Sequence, residues 1–172
     1  WVLNGEDAQV QALAGHAAGE RFQFHIETPL GPGELGGYVD EAGWLVLRID
    51  FSAGEERILP TGDLTLLGPH NRANALCAAI AARLAGASAS GIAEGLRTFA
   101  GLEHRLEPVA EVEGVLWIND SKATNLASTA VAVRSMERPT VLLLGGRHKG
   151  EPYTDLLPAL SDSPVREVIA YG

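Results

Sequence analysis

After Gly101 the chain alternates between short apolar runs and helix-like runs, and this alternation constrains the fold more than any other feature. Strand-like runs lie near Leu106 to Val112, Val115 to Ile118, Val141 to Leu144 and Glu167 to Ala170. Helical patterns lie near Ala127 to Met136 and Tyr153 to Leu160. Strands spaced by helices predict the start of a parallel α/β sheet, because a crossover helix returns the chain to the same end of the sheet. Residues 1 to about 67 read differently. Phe22 to Ile26 and Trp44 to Ile49 carry the β-branched and aromatic residues of strands, with turns at Asp40 to Gly43 and Ser52 to Gly54. Gly31-Pro32-Gly33-Glu34-Leu35-Gly36 matches a dinucleotide fingerprint in form only. A strand, not a helix, follows it, so it is expected to be a loop between antiparallel strands.

From Pro69 the period changes to that of a helix, through Ala75, Leu76, Ala79, Ile80, Arg83 and Leu84, with Gly86 as its stop. His70 and Asn71 are expected to precede it, as caps or as ligand contacts. A second helix is expected from near Ser90 to Phe99, capped by Ser88 or Ser90. Cys77 falls within the first helix and is expected to be a small buried hydrophobe. The boundary between the two parts falls near Gly101 to Arg105, and His104-Arg105 there is either a phosphate-directed pair or a surface ion pair with Glu103 or Glu107.

Two polar loops stand at strand exits, where α/β sheets bind ligands. Asn119-Asp120-Ser121-Lys122-Ala123-Thr124-Asn125 follows the run ending at Ile118. Asp120 suits a ribose or a cation, and Lys122 can neutralise a phosphate or carboxylate as a compact charge. Thr124 and Asn125 can cap the next helix or bind an anion, since both roles use the same geometry. Gly145-Gly146-Arg147-His148-Lys149-Gly150 follows the next strand with a basic lining for an anion. It is no Walker A loop, because Glu151 follows Gly150 where Lys-Ser/Thr would be needed.

Taken together, these segments resemble the UDP-N-acetylmuramoyl-L-alanine:D-glutamate ligases of the Mur ligase family. The resemblance rests on Asn119 to Asn125, on His70-Asn71-x-x-Asn74, on the joint Phe99 to Arg105, on Gly145 to Lys149, and on Leu3-Asn4 with Asp7. It covers essentially the whole chain. It implies an α/β fold, with residues 1–101 the end of the family's central ATP-binding domain and 102–172 the start of its Rossmann-like parallel carboxyl-terminal domain. It also implies that Asn71 and Asn74 contact the adenine end of ATP and Asp120 the ribose. His104 and Arg105 would face the phosphates, with Lys122 near the reacting carboxyl, and Thr124 and Lys149 would hold the D-glutamate carboxylates. Arg105 and Lys122 are the implied catalytic pair. Arg147-His148 is more basic than the residues often found there. The implied reaction joins D-glutamate to UDP-N-acetylmuramoyl-L-alanine through an acyl phosphate, using ATP and Mg²⁺, with metal ligands mainly outside this stretch. The alternatives are another Mur or folylpolyglutamate synthase-type ligase, or a nucleotide-binding module without chemistry.

Composition agrees with a globular protein: 172 residues, 46% hydrophobic and 20% charged. A net charge of −9 argues against a general nucleic-acid or anionic-membrane surface, and makes the cations gathered in the two loops more informative. A lone cysteine and the lack of a membrane-length apolar run or an amino-terminal signal point to a reducing, cytoplasmic setting. Dispersed histidines predict no metal-ligating set. The chain begins at Trp1 and stops after a strand-like run, so it is expected to be an excerpt; the resemblance implies that the UDP-binding domain and the phosphate loop lie outside it.

Overall fold

The computed structural model describes residues 1–66, 68–147 and 150–171, which form two compact units, Trp1–Ala100 and Gly101–Gly172.

The first unit is a five-stranded sheet covered by helices. Its strands are β1 (Val2–Asn4), β2 (Phe22–His25), β3 (Gly36–Val39), β4 (Trp44–Arg48) and β5 (Glu56–Pro60), in that spatial order. The β1–β2 and β2–β3 pairs are parallel, whereas β4 and β5 run antiparallel to their neighbours. The Gly31–Gly36 loop therefore joins parallel strands, not the antiparallel pair the sequence suggested. The connection from Ile26 to Leu35 is no tight hairpin and carries the chain back to the starting end of β2 before β3 begins. A short helix, α1 (Ala8–Ala14), also joins β1 to β2, in a stretch read as strand-rich. Asp7 starts it, its Oδ1 accepting from the backbone N–H groups of Gln9 at 2.9 Å and Val10 at 3.0 Å.

Two longer helices follow, α2 (Pro69–Leu84) and α3 (Ala89–Thr98). Pro69 occupies the first helical position, where its missing N–H is not needed, so His70 and Asn71 lie inside the first turn and not ahead of it. Ser88 caps α3 by accepting from Gly91 N at 3.1 Å. Ala75, Leu76, Ala79 and Ile80 form one stripe on α2 and pack with Leu45, Leu47 and Leu59 of the sheet and Ile92 of α3. Each large side chain buried there contributes roughly 1.5–3 kcal/mol of apolar transfer. Cys77, beside that stripe, is only half-buried, and burial pushes its thiol pKa up.

Glu6 ties the turn after β1 to the turn after β2. Its carboxylate accepts from the N–H groups of Ile26 at 2.9 Å, Glu27 at 2.7 Å and Thr28 at 3.0 Å. Burial opposes its ionisation, but these donors and the nearby His25 outweigh that and hold its pKa below the ordinary value. A depressed carboxylate stabilises the fold above its unfolded pKa and loses that effect as pH falls through the folded one. Glu6→Ala is therefore expected to lower stability by about 1–2 kcal/mol at neutral pH, and by less as the solution is acidified. Urea unfolding at neutral and acid pH checks this; an equal loss at both would count against it.

The second unit holds two two-stranded sheets. Strands β6 (Glu107–Val112) and β7 (Val115–Asn119) pair antiparallel, while β8 (Thr140–Gly145) and β9 (Val165–Tyr171) pair parallel. The single parallel sheet expected through all four is thus corrected: β6 and β7 form a hairpin. Val112 pairs with Val115, leaving Glu113 (φ 53°) and Gly114 (φ 79°) as a two-residue turn. Two successive positive φ angles match the natural twist of a hairpin. Helix α4 (Leu126–Arg134) connects β7 to β8, and a 3₁₀ turn (Tyr153–Leu156) leading into α5 (Leu157–Ser161) connects β8 to β9. Val133, Leu156 and Ala159 are buried beneath them, whereas Val141 and Leu143 of β8 stay half-exposed.

Candidate active site

In the second unit the polar turn after β7 is built by its own side chains. Asn119 Oδ1 accepts from Ser121 N at 3.1 Å, and Ala123 N donates to Asp120 O at 2.9 Å, closing a tight bend. Asn125 is the N-cap of α4, its Oδ1 accepting from Ser128 N at 2.8 Å. Of the two roles open to Asn125, the structure uses capping. Thr124 precedes the cap and is exposed; among the described residues its hydroxyl has no hydrogen-bond partner. Lys122 is exposed as well, and its ammonium pairs with none of the described residues, although its backbone N donates to His104 O at 3.0 Å.

That last bond belongs to a set joining the turn to the Gly101–Leu106 segment. Asp120 Oδ1 accepts from Leu106 N at 3.1 Å, and the Asn119 amide nitrogen lies 2.8 Å from His104 Nδ1. His104 N donates to Glu107 Oε2 at 2.8 Å, and its ring Nδ1 stands 3.6 Å from the same carboxylate. His104 (φ 67°) and Leu106 (φ 45°) both adopt left-handed backbone, which costs a non-glycine residue roughly 1–2 kcal/mol and persists only where surroundings enforce it. The bonds from Asn119, Asp120 and Lys122 supply that enforcement. Arg105 sits between the two, exposed, its guanidinium paired with none of the described residues.

The turn after β7 and the loop after β8 line one cavity of about 300 Å³. Ser121, Thr124 and Asn125 border it from one side, and Gly146, Arg147, Glu151 and Tyr153 from the other. The loops converge although their strands belong to different sheets, and the hydrogen bond from Leu126 N to Glu151 Oε2, 3.0 Å long, spans them directly. Lys149 and its neighbour His148 lie outside the described residues. Asn71 and Asn74 lie in the first unit, on α2; Asn71 is buried and accepts a 3.3 Å bond from the exposed Asn74. Among the described residues no cluster of three or more His, Cys, Asp or Glu side chains is placed to hold a metal.

No helix of the described residues is long and apolar enough to cross a membrane.

No family model matches the chain. It is 41% identical over 173 residues to the UDP-N-acetylmuramoylalanine–D-glutamate ligase of Salinibacter ruber, covering 99% of the chain and 36% of that relative. The enzyme of the same name from Halalkalibacterium halodurans is 37% identical over 172 residues, with 100% and 36% covered. The chain spans about a third of the length of these curated relatives. Among solved structures, the fold is similar to a UDP-N-acetylmuramoylalanyl-D-glutamyl-2,6-diaminopimelate–D-alanyl-D-alanyl ligase from Acinetobacter baumannii, with a TM-score of 0.68 at 20% identity over 99% of this chain and 38% of that one. It is also similar to a pseudomurein peptide ligase type C from Methanothermus fervidus, with a TM-score of 0.66 at 19% identity over 99% of this chain and 45% of that one. An α/β chain matched from end to end by D-glutamate ligases at 36–41% identity, and sharing the fold of these solved ligases, belongs to the Mur ligase family.

Proposed function

We propose that the full-length protein joins D-glutamate to UDP-N-acetylmuramoyl-L-alanine at the expense of ATP, in the cytoplasm. The observation that carries this reading is the cavity that both polar loops border, with Lys122 on the same turn between the lining residues Ser121 and Ala123 and unpaired among the described residues. The substrate carboxylate would attack the γ-phosphorus of ATP, forming an acyl phosphate and releasing ADP. The D-glutamate amine would then attack the acyl carbon and expel phosphate. Both steps gather negative charge on oxygen, which Lys122 and Arg105 are suited to stabilise. Thr124 and Lys149 would receive the carboxylates of D-glutamate, Asp120 the ribose, and Asn71 and Asn74 the adenine. Residues 1–101 would be the end of the central ATP-binding domain and 102–172 the start of the carboxyl-terminal domain.

The test is phosphate release by the full-length enzyme with UDP-N-acetylmuramoyl-L-alanine and ATP, with D-glutamate compared against other amino acids. Activity restricted to D-glutamate supports the reading, and equal use of another amino acid overturns it. Within it, Lys149→Ala is expected to raise KM for D-glutamate by roughly tenfold or more with little change for ATP. Asp120→Asn, which keeps an oxygen for Leu106 N, is expected to do the reverse. Equal effects of both variants on both substrates would refute this division of roles.

A further inference from the structure

Glu151 enters no role described so far, yet its side chain bonds across the two walls of the cavity. It lies on the loop after β8, while its hydrogen-bond donor, Leu126 N, is the first backbone N–H of α4. That N–H belongs to the set a helix leaves unpaired, and Asn125 serves a different member of the set, Ser128 N. A carboxylate there combines a charge-assisted hydrogen bond with the favourable end of the helix dipole. Both loops are otherwise rooted in separate sheets, β7 with β6 and β8 with β9, so no strand pairing fixes the distance between them.

We propose that Glu151 is a positioning residue: a latch that sets the spacing of the amino-acid cavity by fastening the loop after β8 to the start of α4. It would touch no substrate and would act through the walls it joins. This rests on the reading that the cavity receives the amino-acid substrate. Because the spacing is set by the hydrogen bond itself, which the charge only strengthens, glutamine keeps the latch in a weaker form, whereas alanine removes it.

The full-length enzyme carrying Glu151→Ala is expected to show KM for D-glutamate raised about tenfold, with kcat and KM for ATP changed by less than about twofold. Glu151→Gln is expected to stay within about twofold of the wild type in all three. Amide hydrogen exchange in the peptide that begins at Leu126 should quicken in Glu151→Ala and not in Glu151→Gln, whether or not substrate is present. An unchanged KM in Glu151→Ala, an equal rise in Glu151→Gln, or a matching rise in KM for ATP would each overturn the latch. A wild-type enzyme that ignores D-glutamate would instead refute the reading of the cavity, and the exchange measurement would then still decide whether the latch exists.

Discussion

Gly36→Ala is expected to unfold the first unit, or to lower its stability by more than about 4 kcal/mol. In the β2–β3 pair Gly36 stands opposite Gln23 at φ 142°, a torsion L side chains rarely adopt. A Cβ built there would overlap Gln23 O and fall 2.5 Å from Gln23 N, both main-chain atoms of the neighbouring strand. No rotamer change relieves a clash with backbone, so β3 would have to leave β2. Leaving is costly because the next residue, Gly37, lies close under Leu47 and Leu76, both wholly buried. Gly33→Ala supplies the control. Its φ of 84° carries a similar backbone penalty, but nothing lies within 4 Å of the added methyl, so the expected loss is roughly 1–2 kcal/mol. Thermal and urea unfolding followed by circular dichroism measures both. Comparable losses for the two glycines would show that torsion, not the closeness of β2, governs position 36.

Lys122→Met is expected to reduce turnover of the full-length enzyme by on the order of 10²–10³ while leaving its melting temperature nearly unchanged. The two halves of this outcome have separate causes. The ammonium is exposed and paired with none of the described residues, so the fold loses no salt bridge or buried charge with it. The main-chain bond from Lys122 N to His104 O remains in the variant, and the turn should keep its shape. The chemical role proposed for Lys122 is stabilisation of oxygen charge in the acyl-transfer steps, which a methionine cannot supply. Steady-state phosphate release, with calorimetry on the same samples, checks both halves. Turnover within tenfold of the wild type would remove Lys122 from the catalytic pair.

What was legible in the sequence follows from where each signal is local. Trp44 to Arg48 forms a strand because aromatic and β-branched residues fit a half-buried pleat, and Ser88 begins a helix because its hydroxyl bonds Gly91 N nearby in sequence. The two polar loops were legible for the same reason, as glycine and polar residues following apolar runs. The errors concern partnership between distant segments. Glu113-Gly114 is the pair that signals the β6–β7 hairpin, since a glycine second in a two-residue connection suits positive φ, but the strand–helix alternation after it masks that signal. Asp7 followed by Ala8-Gln9-Val10-Gln11 offered a cap and good helix formers for α1, masked by the strand signals on either side. Glu151 had no local signal at all. Its partner, Leu126 N, is 25 positions earlier, and the bond exists only because two loops meet in three dimensions.

The paired left-handed torsions at His104 and Leu106 bear on the entropy of ligand capture. An arginine on a supple loop would surrender main-chain as well as rotamer freedom when it met a phosphate. Arg105 is rooted between two backbone positions already pinned by Asp120 and Lys122, so most of the main-chain loss, roughly 1–2 kcal/mol per residue, occurs during folding and not during binding. In the phosphate-facing role proposed for Arg105, only the side chain would remain to be ordered.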